Sequence, residues 1–197
     1  IPASIAIDVC RFVNGEWQHA LAIEHPGDDS LVSNRTKERG YVFPMMVAGT
    51  ENLTPAFRDF IDDKYDAHFS PEQILGYIYA ILHAPTYRSR YAEFLRIDFP
   101  RIPFVEAAAD FEGLSKLGWD LVQVHLLKDQ PRSDPRLGVY QGKGDHTVEE
   151  VRYSPEEQAI WINETQRFDN VPQAVWDFHI GGYQVITKYL KSRKDRV

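Results

Sequence analysis

The sequence predicts an α+β fold: a β-rich N-terminal part, a helical middle and a small β-α C-terminal part. Three observations carry that prediction. Apolar residues alternate around Asn14-Gly15, take up helical spacing after Thr54-Pro55, and return to short runs after His146. The corresponding subregions are residues 1–50, 51–130 and 131–197, the last read as a β-hairpin plus terminal helix.

In chain order, Ile5, Ile7 and Val9 alternate with Ala6, Asp8 and Cys10, and a second apolar run extends from Trp17 to Ile23. Asn14-Gly15 between them suits a type I′ turn, so residues 5–23 are read as a tight hairpin. Pro26-Gly27-Asp28-Asp29 breaks the chain, and Leu31–Ser33 with Tyr41–Phe43 form an expected second strand pair. Thr54-Pro55 and Ser70-Pro71 each place a hydroxyl cap before a first-turn proline, and Gln73 completes a capping box with Ser70. Ala84-Pro85 interrupts the second helix. A further helix spans residues 86–95, and the prolines of Phe99–Phe104 impose extended chain. Residues 105–127 return to helix, with Gly113 and Gly118 as weak points. Residues 128–146 read as a loop or short hairpin. Strands at 148–153 and 159–162 flank Ser154-Pro155-Glu156-Glu157, and helix is expected over 172–192 around a turn at Gly181-Gly182.

The 197 residues carry 29 acidic and 22 basic side chains, a formal net charge of −7. Eleven Phe, ten Tyr and four Trp supply ample bulk for a core and exclude a disordered or collagenous chain. No apolar stretch is long enough for a membrane helix, and the single Cys10 excludes an internal disulfide. The reading is therefore of a protein without a membrane partner in a reducing, cytoplasmic setting. The start at Ile1-Pro2-Ala3-Ser4, without Met or signal peptide, reads as a piece of a longer polypeptide.

Catalytic patterns are missing. There is no phosphate-binding glycine loop and no nucleophile elbow, and the seven histidines form no metal-ligand spacing, so no catalytic residue and no metal site is assigned. Cys10 within an alternating run reads as a buried thiol. Gly181-Gly182 suits a plain turn better than an anion cradle. The Asn163-Glu164-Thr165 sequon has no meaning without a secretory context.

Charge is unevenly distributed. Residues 50–72 and 145–157 each sum to −4, whereas residues 33–40 and 83–104 sum to +2 and residues 188–196 to +4. Nucleic-acid contact needs local positive potential rather than a basic total. The same cations also suit ion pairs and the C-terminal end of a helix dipole.

Two long motifs then narrow the choice. Residues 74–104, including Tyr77-Ile78-Tyr79-Ala80, Tyr87-Arg88-Ser89-Arg90-Tyr91 and Asp98-Phe99-Pro100-Arg101-Ile102-Pro103, form one. Residues 161–191, with Trp161-Ile162-Asn163 and Ile180-Gly181-Gly182-Tyr183-Gln184-Val185, form the other, and Tyr41-Val42-Phe43-Pro44 adds an earlier strand. Together they resemble the C-terminal specificity (target recognition) domain of Type ISP single-polypeptide restriction–modification enzymes over most of residues 40–192. Tyr189 stands where that family often has Trp.

The resemblance implies that residues 1–197 are a DNA target recognition domain. The parent would carry an adenine-N6 DNA methyltransferase using S-adenosylmethionine, and an ATP-driven translocase (helicase) and an endonuclease needing Mg2+. None of those catalytic motifs occurs in this chain, so the fragment is expected to be non-catalytic and to need no cofactor. Its expected partners are double-stranded DNA and the methyltransferase domain of the same polypeptide. The candidate DNA-binding residues are Asn34, Arg35, Lys37 and Arg39; Arg88, Arg90, Arg96 and Arg101; Gln141, Lys143 and His146; and Lys188, Lys191 and Arg193. The helix-borne arginines are expected to hold phosphates, and loops 34–39 and 141–146 to read bases. Tyr77, Tyr87, Tyr91, Phe99, Trp161, Trp176, Phe178 and Tyr183 are expected in the core. The alternative is a structural docking module that positions the methyltransferase without reading DNA, marked by an exposed apolar patch lacking a basic rim.

Overall fold

The computed structural model describes residues 4–25, 27, 38–129, 134–180 and 183–194. The chain divides into two compact units, Ile1–Pro131 and Arg132–Val197. The β-rich and helical subregions therefore belong to one unit with a shared core.

In the first unit, strands β1 (Ala6–Cys10), β2 (Ala20–Ile23) and β3 (Gly40–Pro44) form an antiparallel sheet of order β2-β1-β3. The expected hairpin pairs β1 with β2, Ala6 opposite Ile23 and Val9 opposite Ala20, but its turn is not the tight one. Gly15 has a positive φ and Asn14 does not, whereas a type I′ turn needs both. The cause is burial: Val13 and Trp17 fold inward, and the Val13 amide donates to the Arg96 carbonyl at 3.1 Å. Packing of two large side chains outweighs the turn preference. β3 forms as expected but pairs with β1, Cys10 opposite Gly40; its expected partner, residues 31–33, lies outside the described residues. A two-residue turn with both central residues at positive φ occurs instead at Ala48-Gly49, joining β4 (Met46–Val47) to β5 (Thr50–Glu51).

Helix α1 (Pro55–Tyr65) starts at the Thr54 cap, and α2 (Pro71–His83) at the reciprocal Ser70/Gln73 capping box. Next come α3 (Pro85–Arg90) and α4 (Ala92–Leu95), split at Tyr91 where the spacing predicts one helix, then α5 (Ala108–His125). Gly118 is not a weak point. A Cβ there would lie 1.8 Å from the Gly76 carbonyl oxygen, so the two glycines let α2 and α5 cross backbone to backbone. The sheet packs on these helices through Ile7, Val9, Leu75, Tyr79, Leu82 and Val122. A second cluster joins Ile61, Tyr65, Phe69, Ile74, Tyr77 and Phe111.

Tyrosine hydroxyls tether the proline-bearing segment after α4. Tyr77 donates to Pro103 O at 2.8 Å, Tyr87 to Arg101 O at 2.8 Å and Tyr65 to Val105 O at 2.6 Å. Residues without helical or sheet partners thus have their carbonyls satisfied.

The second unit is a four-stranded antiparallel sheet of β6 (Val139–Gln141), β7 (Arg152–Ser154), β8 (Ala159–Trp161) and β9 (Arg167–Asp169), in the order β6-β9-β8-β7. The β7–β8 hairpin matches expectation. β9 escapes a pattern search because only Phe168 of its three residues is apolar. Over 172–192 the helix shortens to α6 (Gln173–Trp176), followed by β10 (His179–Ile180), β11 (Tyr183–Gln184) and α7 (Val185–Lys191). Val148, Ile160, Ile162, Val171 and Leu190 form its core, and Tyr153 stacks on Trp176 with centroids 5.0 Å apart.

Candidate nucleic-acid interface

In the first unit, the loop after β1, the strand β3 and residues 93–101 meet on one face. Arg11, Phe12, Tyr41, Arg96 and Ile97 line one concavity of about 580 Å³. Phe94, Ile97, Phe99 and Arg101 help to line a second of about 500 Å³. Phe94 and Ile97 are 69% and 70% exposed, apolar surface of the kind that binding partners cover. Phe99 anchors the face, meeting the Tyr41 and Phe43 rings edge-on at 5.0 and 5.8 Å.

Cations rim these apolar groups. Arg11 pairs with Asp98 at 3.1 Å and lies over the Phe99 ring. The Phe99 backbone amide, and then Arg11, hold the Asp98 carboxyl below its ordinary range. Arg96 lies 3.8 Å from Glu93 with its side chain about half exposed, and Arg90 sits over Tyr91. Arg101 is exposed, with its carbonyl held by Tyr87. Arg39 is exposed, directly before the Gly40 that pairs with Cys10, so the register brings it towards Arg11. Sequence reasoning misses Arg11 because it sits in the run read as a tight hairpin; its signal is a lone cation flanked by apolar residues.

Arg88 behaves differently. Its Nε donates to Leu82 O at 2.6 Å, its Nη2 to His83 Nδ1 at 3.1 Å, and the guanidinium covers the Trp17 ring. Burial lowers the pKa of this guanidinium. Burial, followed by the nearby Arg88 charge, pushes His83 down to about 4, so the imidazole is neutral and its Nε2–H can donate to Ala20 O at 3.0 Å. This arginine is committed to the fold, unlike Arg90, Arg96 and Arg101 on the same stretch. Asn34, Arg35 and Lys37 lie outside the described residues.

In the second unit, Gln141 at the end of β6 and Lys143 and His146 on the loop after it are all exposed. Gly142 and Gly144 have positive φ, and so does His146 at 64°, an uncommon conformation for a side-chain-bearing residue. Lys188 lies over Tyr183 at 4.9 Å and Arg193 over Tyr189 at 3.6 Å, with Lys188 and Lys191 lining one concavity along α7. Phe178 and Tyr183, expected in the core, are instead 55% and 56% exposed; Tyr77 and Tyr87 are buried as expected. Phe178 directly precedes β10 and Tyr183 opens β11, and neither joins the cluster that includes Trp176, Ile186 and Leu190.

Cys10 is buried, with its thiol pushed up to about 11, chiefly by desolvation. Among the described residues no His, Cys, Asp and Glu cluster is placed to hold a metal, and no helix is long and apolar enough to cross a membrane. Gly181-Gly182 lies outside the described residues.

A family model described as the Type ISP C-terminal specificity domain matches residues 12–197. No curated protein matches the chain. Among solved structures, a DrdV–DNA complex is similar with a TM-score of 0.67 and 22% identity, over 95% of this chain and 20% of that one. The ATP-dependent Type ISP restriction–modification enzyme LlaBIII bound to DNA gives 0.62 and 20%, over 96% of this chain and 13% of that one. A nuclease-deletion mutant of the Type ISP enzyme LlaGI with a DNA substrate mimic gives 0.61 and 20%, over 96% and 17%. The chain thus spans a fifth or less of each of these proteins.

Proposed function

The chain belongs to the Type ISP C-terminal specificity domain family, and from that premise we propose that it recognises a double-stranded DNA target. The observation that carries the reading is the rimmed face of the first unit, where Arg11 and Arg96 line one concavity with exposed Phe12, Tyr41 and Ile97, and Arg101 lines a second that shares Ile97. Arginines there hold phosphates and set register, as positioning contacts do in protein–DNA complexes. The segment Gln141–His146, the end of β6 and the loop after it, supplies polar side chains for base edges, and Lys188, Lys191 and Arg193 add contacts to the DNA backbone. The DNA bound in the three structural relatives is in keeping with this assignment. Arg88 is reassigned from phosphate contact to scaffold.

The proposal extends to the setting. The domain acts in the cytoplasm as one part of a restriction–modification polypeptide, beside a methyltransferase domain that uses S-adenosylmethionine and parts that use ATP and Mg2+. It takes no cofactor and performs no chemical step of its own. A second reading, docking of the methyltransferase domain on the same face, is favoured by the exposure of Phe94 and Ile97. The basic rim favours DNA over it.

Selection from duplexes with a randomised centre distinguishes the two. DNA readout predicts that the bound pool converges on one short sequence. A bound pool as random as the input contradicts target recognition by this chain.

A further inference from the structure

The Gly142–His146 loop rests on more than its own turn, in which the Thr147 amide donates to Asp145 Oδ1 at 3.1 Å. It crosses a short polar chain that begins at Asn163, the residue of the sequon-like Asn163-Glu164-Thr165. The Asn163 Oδ1 accepts from the Thr165 and Gln166 backbone amides at 3.0 and 2.8 Å, and its Nδ2 donates to Thr147 O at 3.0 Å. Backbone amides only donate and carbonyls only accept, so these three bonds fix which end of the Asn163 amide is oxygen. The same Nδ2 donates to Gln166 Oε1 at 2.6 Å, which fixes the Gln166 amide in turn. Gln166 is completely buried, and its Nε2 donates to the Tyr140 hydroxyl oxygen. That oxygen is already accepting, so the Tyr140 O–H is free to point at His146 Nδ1, 2.7 Å away. The loop backbone lies directly on this relay. A Cβ at Gly142 would come 2.3 Å from Thr165 O, and one at Gly144 would come 3.0 Å from Gln166 Nε2.

We propose that Asn163, Gln166 and Tyr140 are positioning residues that fix the polarity of His146. With Nδ1 accepting, the neutral imidazole carries its proton on Nε2 and offers the exposed side of the loop a donor. A donor at that point matches acceptor-bearing base edges, namely guanine N7 and O6, adenine N7 or thymine O4, and opposes the amino groups of cytosine and adenine. The relay rests on geometry alone, whereas the base class rests on the DNA reading proposed above.

Two variants test it in the whole chain. Tyr140→Phe removes only the hydroxyl and keeps the ring beside Phe168 and His146. Gln166→Glu keeps the shape but can no longer donate in its ionised form, so the Tyr140 O–H turns to it and His146 shifts to the Nδ1–H form. Nitrogen-15 NMR of labelled histidines at neutral pH reads the tautomer without DNA. Selection from duplexes with a randomised centre reads the base preference. The expected results are Nε2–H in the wild type and Nδ1–H in Gln166→Glu. Tyr140→Phe should lose about tenfold in preference at one base position while the salt dependence of binding stays the same. Should Gln166→Glu fail to fold, Tyr140→Phe and the wild-type spectrum still decide. An Nδ1–H wild type, or a wild-type base preference that Tyr140→Phe leaves unchanged, overturns the relay's role. A wild type that shows Nε2–H yet selects no sequence overturns the DNA reading of the loop and leaves the relay standing.

Discussion

The helices of the first unit and the loop-bearing sheet of the second are held in shape by different forces. In α2 and α5, definition comes from apolar burial and steric fit: Tyr77, Phe111 and Val122 are fully enclosed, and Gly76 meets Gly118 at backbone contact. In the second unit's four-stranded sheet the strands are three residues long, and the half-buried Asn163 and buried Gln166 amides set the conformation of a loop through hydrogen-bond direction. Steric fit makes a scaffold whose failure is global. A polar relay makes a local shape that can be changed without unfolding the rest.

Gly118→Ala should give the largest effect. Its Cβ would overlap the Gly76 carbonyl at 1.8 Å, so the helices must separate, at a cost of about 3 kcal/mol or more. A thermal melt should show a much lower Tm or no cooperative transition; a near-normal Tm would remove the helix crossing from the account.

Acid should act next, again on the first unit. His83 is held neutral down to about pH 4, whereas an unfolded histidine protonates near 6.5. Between those values the unfolded chain binds more protons, so stability falls as pH drops through that window, by ~3 kcal/mol at most. Urea melts across pH should show the slope, and His83→Gln should flatten it.

Arg88→Ala comes third. Removing its bonds to Leu82 O and His83 should cost about 2 kcal/mol. Arg96→Ala should leave Tm unchanged and instead weaken duplex binding. The opposite pattern would return Arg88 to the interface.

Gly144→Ala should be smallest in stability, about 1 kcal/mol. Its added Cβ sits 3.0 Å from the Gln166 amide nitrogen, at a φ of 157°. Loop resonances should shift while the helices of the first unit stay unchanged in hydrogen exchange; a global loss of protection would contradict the local character assigned to this region.

The same division explains which features are legible in the sequence. Caps are local chemistry, so Thr54-Pro55 and Ser70-Pro71 announce α1 and α2 at their true starts. Asn14-Gly15 misleads because Val13 and Trp17 are drawn into a core formed largely by distant residues. Gly118 reads as a helix weakness because its partner, Gly76, lies 42 residues away in sequence. β9 has one apolar residue and is defined by its neighbours. At the interface, runs of like charge point to Arg90, Arg96 and Arg101 but do not separate them from Arg88, whose partners emerge only on folding. Arg11 stands alone in sequence and becomes part of the face through β1–β3 pairing. The DNA assignment itself comes from the long family motifs, since a net charge of −7 points the other way.

The most direct test is duplex binding by the chain across a salt series, with and without Arg11→Ala, Arg96→Ala and Arg101→Ala combined. Affinity should fall steeply between ~50 mM and ~200 mM salt, and the triple variant should flatten the log–log slope by roughly 1 for each phosphate it no longer neutralises. Binding that is absent at the low-salt end, or a slope that the triple variant leaves unchanged, would contradict the assignment of this face to DNA.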